Sequence, residues 1–403
     1  MSVSVGVETS RPERARATRT LTVTGLNHAL HDGYTDLIYV LLPVWQAEFT
    51  LSYGLLALLR GVYAGAMAGL QIPVARVAGR IDGKLILIAG TALAAFGYLL
   101  AGFSGGIVGL GLALALSGAG SSTQHPIASA AVSRAYGTAA RGPLGIYNFT
   151  GDLGKAAIPA LTSILLVIMS WRHTLLVLAF MGLLVAVCIA LWMPSVGKGA
   201  ERKTTAAARH DSVNRGGFPW LLAIGILDTA ARMGFLTFLP FLLLDKGGSL
   251  PINGLALALV FIGGAAGKFT CGWLGERVGT LRTVLLTEGG TAALIIAVLA
   301  LPLVPAIVLL PLLGVMLNGT SSVLYGTVPE LTPPHRTERA FALFYTGTIG
   351  SGAVAPVLYG VLGDALGPVL ATVATALTAL VICPLAVALA RHLRDNAGAH
   401  RAA

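Results

Sequence analysis

The sequence predicts an all-α membrane protein whose twelve transmembrane helices form two pseudo-symmetric six-helix bundles. Three observations predict it. Of 403 residues, 55% are hydrophobic and 11% charged, with a mean hydropathy of +0.81; a soluble domain carries about 25% charged residues and cannot hide so much apolar surface. Twelve apolar stretches are each long enough to cross a bilayer. The two halves of the chain resemble each other.

A spanning helix needs about 20 mostly apolar residues. The first six spans are placed at 21–45, 53–77, 85–103, 106–131, 143–168 and 174–193. The second six are placed at 218–244, 253–273, 283–301, 304–327, 339–361 and 368–391. Residues 1–20 are polar and arginine-rich, unlike a cleavable signal peptide. Basic residues then set the orientation. Arg11, Arg14, Arg16 and Arg19 precede span one, Arg76, Arg80 and Lys84 follow span two, and the stretch 195–217 holds five more. The opposite loops hold only Arg172 and Lys246. The positive-inside rule puts both termini in the cytoplasm of a bacterial-type inner or plasma membrane, which requires an even number of spans. The net charge of +10 is thereby topological, and nucleic acid is not an expected partner. The three cysteines, Cys188, Cys271 and Cys383, lie in apolar runs as small buried residues.

The polar stretch 195–217 divides the chain. The expected organisation is a cytoplasmic tail (1–20), a first bundle (21–194), a cytoplasmic linker (195–217), a second bundle (218–391) and a cytoplasmic tail (392–403). Arg141, Tyr147 and Thr150 recur as Arg339, Tyr345 and Thr348 at one constant offset. Gly120-Ser121-Ser122-Thr123 recurs as Thr320-Ser321-Ser322-Val323, and Pro43 as Pro240. Parallel repeats around a midplane cavity are the architecture of alternating access. The 51 glycines, such as Gly61, Gly65 and Gly69 on one face of span two, permit close helix approach.

Charges inside spans are costly and mark sites. In span one, His28, Asp32 and Asp36 share a face, with His31 alongside. Asp32 lies about 16 Å along the helix from residue 21, near the midplane. Span two carries Arg60, a partner for Asp36 or for an anionic substrate. Span five carries Asp152 and Lys155, and span seven Asp228 and Arg232, each spaced to pair within its own helix. Lys268, Glu288 and Glu330 are expected near cytoplasmic ends, snorkelling or forming gate salt bridges. His125 is expected nearer the cytoplasmic end of span four. His28, His31 and Asp32 at i, i+3 and i+4 also suit a divalent metal, although the ligand set is incomplete.

No enzyme is expected, since Walker, nucleophile-elbow and zinc-helix motifs are missing. No cofactor is expected either. Uphill transport then draws on an ion gradient, and the intramembrane carboxylates and imidazoles favour protons.

Gly272-Trp273-Leu274-Gly275-Glu276-Arg277-Val278-Gly279 resembles the inter-helix loop of the major facilitator superfamily. The first-half equivalent, Ala78-Gly79-Arg80-Ile81-Asp82-Gly83-Lys84, is degenerate. His28-Ala29-Leu30-His31-Asp32 with Pro43-Val44-Trp45-Gln46-Ala47-Glu48-Phe49, and Gly118-Ala119-Gly120-Ser121-Ser122-Thr123-Gln124-His125-Pro126, look like the fosmidomycin-resistance type of drug exporter. Here His31 stands where that type usually has Asn, and Asp152 and Lys155 replace neutral residues. The resemblance implies the major facilitator fold, with Gly272, Glu276, Arg277 and Gly279 in a gating loop.

The expectation is a secondary transporter, a proton-coupled antiporter exporting a small polar or anionic organic compound. Asp32, His31 and Asp152 are the proton-coupling candidates. His28, Asp36, Arg60, Gln124, His125, Tyr147, Asn148, Lys155, Asp228, Arg232 and Tyr345 are the substrate-binding candidates. Its partners are a small-molecule substrate, protons and the lipid bilayer, and a monomer is expected. The alternative is a proton-coupled uptake symporter for an organic acid or sugar; weaker rivals are a divalent-metal exporter and a non-transporting receptor or scaffold.

Overall fold

The computed structural model describes residues 11–197, 217–332 and 337–402. Their helices are α1 (Arg11–Phe49), α2 (Tyr53–Val77), α3 (Gly83–Gly102), α4 (Ile107–Ser121), α5 (Gln124–Tyr136), α6 (Arg141–Ile168) and α7 (Trp171–Trp192) in the first half. The second half holds α8 (Gly217–Asp245), α9 (Leu250–Val278), α10 (Thr280–Ala300), α11 (Leu303–Thr327), α12 (Thr337–Leu366) and α13 (Pro368–Ala402). Thirteen helices make twelve spans, because span four is broken into α4 and α5. The cause is Pro126, which lacks an N–H and whose ring clashes with the carbonyl of Ser122 four residues back.

Ten of the helices are long and apolar enough to cross a membrane on their own. The other two spans are instructive. The pieces of span four are short, and α1 carries His28, His31, Asp32 and Asp36 through its middle. That segment crosses the bilayer only because neighbouring helices cover it. Helix continues into both tails: α1 begins at Arg11, with Pro12 in its first turn where a missing N–H costs no helical bond, and α13 runs on to Ala402 with no proline after Pro384. Most of the expected linker, 198–216, lies outside the described residues.

Glycines set the closest approaches. A Cβ on Gly154 of α6 would sit 2.0 Å from the Ala29 carbonyl oxygen of α1. The α2–α4 pair of the first half meets at Gly118, whose added Cβ would lie 2.2 Å from the Tyr63 carbonyl oxygen. The corresponding α9–α11 pair of the second half meets at Gly263 and Gly314, at 2.0 and 2.1 Å from backbone oxygens. The duplication is thus visible in packing as well as in sequence.

The halves join along α2–α12 and α6–α9. Contact is close at the face away from the termini, here the far face. Both carboxylate oxygens of Asp364 on α12 accept backbone N–H bonds from Tyr53 (2.6 Å) and Gly54 (3.0 Å), capping α2 across the divide. Gly61 abuts the Ala353 carbonyl, and Gly254 of α9 abuts Ser163 of α6. Toward the terminal face, Gly65, Gly69, Gly142, Gly145 and Gly272 have nothing within 4 Å. Of the expected small-residue stripe on α2, only Gly61 serves close packing. The halves are closed at the far face and parted at the terminal face.

On the terminal face Asp82 caps α3, accepting from the Lys84 N–H at 2.8 Å. It also takes the Ser195 hydroxyl and the Val196 N–H (3.2 Å), pinning the start of the linker. Partial burial works the other way, but these hydrogen bonds hold its carboxyl below the usual carboxylate range.

Gly154→Val is expected to destabilise the protein by roughly 1–3 kcal/mol through overpacking, read as a lower melting temperature, whereas Gly65→Ala leaves it unchanged. Asp82→Ala is expected to cost about 1 kcal/mol at neutral pH, a typical helix-cap loss. Because the folded-state pKa is depressed, that stabilisation is present above the ordinary carboxylate pKa and fades as pH falls through the folded value. Melting curves of wild type and variant should therefore converge in acid.

Candidate functional site

A cavity of about 230 Å³ lies between the halves, lined by α1, α2, α5 and α6 on one side and α8, α9, α11 and α12 on the other. Asp32 stands in its wall. Lys155 of α6 approaches Asp32 to 3.3 Å, His28 to 3.4 Å and His125 to 3.8 Å. His28 is fixed by a 2.8 Å bond from Nδ1 to the Tyr147 carbonyl and by stacking on the Tyr147 ring at 4.1 Å. That leaves its Nε2 turned to Asp32. Gly151 makes room, since any Cβ there would strike both Asp32 and His28.

Several expected partnerships are corrected. Lys155 pairs with Asp32 and not with Asp152. Asp152 pairs across the divide with Lys268 of α9 at 2.5 Å. Lys268 therefore does not snorkel; it stands about 15 Å from the end of α9, counting 1.5 Å per residue. Glu288 is 2% exposed and accepts from Thr320 at 2.5 Å, with the Asp228 carboxyl beside it. His125 is not set apart toward the terminal face; the α4–α5 break turns it to Asp32, its side chain 42% exposed to the cavity. Asp228 and Arg232 do meet, at 3.6 Å.

His31 is 2% exposed and faces away from Asp32. Its ring nitrogens meet Ser121 Oγ (2.9 Å) and Thr91 Oγ1 (3.1 Å). Tyr63 O–H joins Ser121 at 2.8 Å, and Thr91 donates to Asn27 at 2.8 Å. Asn27 donates to Gln124, which donates to the Tyr147 hydroxyl at 3.1 Å. Gln124, Tyr147 and His31 thus form a buried lattice behind the cavity wall. Asn27 and Thr91 were missed by sequence reasoning; a buried Asn one residue before His28 was the available signal. Ser121 joins His31 to Tyr63 in this lattice.

Arg60 and Asp36 line the cavity but form no ion pair with each other. Arg60 donates to the Gly352 carbonyl (3.2 Å) and the Met233 sulfur (3.3 Å), and stacks over Tyr39 at 4.6 Å. It thus bridges α2 to α8 and α12. Arg232 reaches Asn318 (3.3 Å) and Thr229 (3.4 Å), two cavity residues the sequence did not single out. Tyr345 stacks on Tyr325, which lines the cavity, but is not itself part of the lining and is 46% exposed. Asn148 is exposed, about 10 Å along α6 from Lys155 toward the terminal face. The expected inter-helix loop is helical almost throughout: Gly272, Trp273, Glu276 and Arg277 form the last turns of α9, with Glu276 and Arg277 exposed, Arg277 stacked on Trp273 at 4.2 Å and Gly272 open, and only Gly279 leaves the helix, turning with φ +87°.

His28, Asp32 and His125 bring one ligand atom each within 4.8 Å of the others, a spacing a divalent ion uses. His31 is not of this set. The Lys155 ammonium already supplies the positive charge at the carboxylate, so the arrangement favours an ion pair over a metal.

The sequence profile of the Major Facilitator Superfamily matches residues 25–227 and again 221–402. The Fosmidomycin resistance protein of Escherichia coli (strain K12) is 23% identical over 355 residues, covering 84% of this chain and 85% of that protein. A bacterial homologue of the human lysosomal transporter Spinster, in an inward-facing and unoccupied conformation, superposes with a TM-score of 0.77 at 15% identity, covering 96% of this chain and 99% of that one. The nucleoside transporter NupG superposes at 0.73 with 12% identity, over 94% and 99% of the two chains. With the profile spanning the chain in two copies, and two six-helix halves around a central cavity, the chain belongs to the major facilitator superfamily of membrane transporters.

Proposed function

We propose that this transporter is a proton-coupled carrier for a small polar or anionic organic compound, working by alternating access in a bacterial-type inner membrane with both termini in the cytoplasm. One observation carries the reading: the cavity places an ionisable carboxylate, Asp32, against a cation, Lys155, with Arg60 and Arg232 in the same walls. A proton on Asp32 frees Lys155, and a free ammonium beside two guanidiniums attracts an anion. His28 and His125 lie where a proton reaches or leaves Asp32. The far-face seal and terminal-face opening are one end state of the cycle, and rocking of one bundle against the other provides the second.

Export is the favoured direction, supported by the likeness to the fosmidomycin resistance protein. A specific observation favours a second reading, proton-coupled uptake. Because protonation of Asp32 releases Lys155, a proton and an anion bind together more readily than in exchange, which is the logic of symport.

Asp32→Asn is expected to abolish pH-driven counterflow in reconstituted vesicles, with labelled fosmidomycin as the first probe; proton-driven flux that survives removes Asp32 from the mechanism. In right-side-out vesicles an inward proton gradient drives the probe out under export and in under symport. The same variant leaves Lys155 unpaired at a wetted wall and should lose roughly 1–3 kcal/mol of stability. Asp32→Asn combined with Lys155→Met should recover most of that loss in melting temperature.

A further inference from the structure

Five charged side chains line the cavity: Asp32, Asp36, Arg60, Lys155 and Arg232. Three have partners, Asp32 with Lys155 and Arg232 with Asp228. The other two do not. Asp36 is 5% exposed and has no hydrogen bond or ion pair among the described residues. Arg60 is 3% exposed, holds only a carbonyl, a thioether and a ring face, and leaves its Nε without a partner. An unpaired buried charge is strongly unfavourable, and here two of opposite sign face one small space without meeting.

A simple anion would satisfy Arg60 but carry a second negative charge toward Asp36. A simple cation would do the reverse. A molecule bearing both charges satisfies both side chains and adds no net charge to a low-dielectric site. We propose that the ligand of this cavity is a small zwitterion, its acid on Arg60 and its amine on Asp36. This rests on the carrier reading above and narrows its substrate class. The cavity holds the volume of about eight waters at ~30 Å³ each, room for a compound of amino-acid bulk. Met67, Leu236 and Ile349 offer apolar wall for a short carbon linker.

The test is binding to the purified full chain in lipid nanodiscs, by calorimetry and thermal shift. The probes are ω-amino acids from β-alanine to aminohexanoate, each against the carboxylic acid and the amine of matched length. At least one zwitterion should bind about tenfold tighter than either singly charged analogue. Asp36→Asn should erase the zwitterion's advantage over the acid, because the amine loses its partner while the acid no longer meets a second negative charge, and Arg60→Gln should bring the zwitterion down to the level of the amine. Asp36→Asn removes an unpaired charge and should melt no lower than wild type, which secures the fold. The proposal is overturned if acids bind as well as zwitterions, as they would with a proton resident on Asp36. It is equally overturned if no member of the series binds, or if Asp36→Asn keeps the preference. Proton-driven counterflow is measured separately, so its failure would sink the carrier reading while leaving this binding result to stand.

Discussion

A carboxylate in the middle of a bilayer must find a cation or a proton, because the hydrocarbon around it offers neither water nor hydrogen-bond donors. Asp32 meets that demand through Lys155, brought from α6 to within 3.3 Å. Much of the first half serves this meeting. Gly154 lets α6 lie on the backbone of α1, and Gly151 clears the space the carboxylate and His28 fill. The break between α4 and α5 swings His125 into place, and the buried lattice from Tyr63 to Tyr147 fixes the rotation of α1.

The second half answers with a different arrangement. Asp228, Glu288 and Arg232 gather two acids around one guanidinium, and Arg232 extends from that group into the cavity. Each half thus presents a cation whose availability depends on a neighbouring acid. The Asp152–Lys268 pair ties the halves together beside the cavity, so α6 carries one ion pair within its own bundle and one across the divide. In the proposed cycle, rocking of one bundle against the other would stretch the second and leave the first intact.

The architecture was legible in the sequence because its signals are one-dimensional. Span length, basic loops and the offset between Tyr147 and Tyr345 need no tertiary structure. His28 and Asp32 were legible for the same reason, since a spacing of four on a helix guarantees proximity. Partners on different helices were not legible. Lys155 lies three residues from Asp152 yet turns to Asp32, and Lys268 comes from another bundle to Asp152. Those choices depend on helix rotation and tilt, which apolar periodicity constrains weakly when a helix is surrounded on all sides. Gln124 and Tyr147 show the same limit: a polar residue in a span signals a polar neighbour without naming it, and here Gln124 bonds both Asn27 and Tyr147.

The seal at Asp364 has a mechanical consequence. Its carboxylate grips main-chain amides of Tyr53 and Gly54, so the clasp recognises a helix end and not the side chains that happen to stand there. When the clasp parts, water can take over both the amides and the carboxylate at once, which makes the parting reversible. Such a fastening needs an acid at position 364, an N–H at positions 53 and 54, and little bulk at 54, where a Cβ would stand 3.0 Å from the carboxylate.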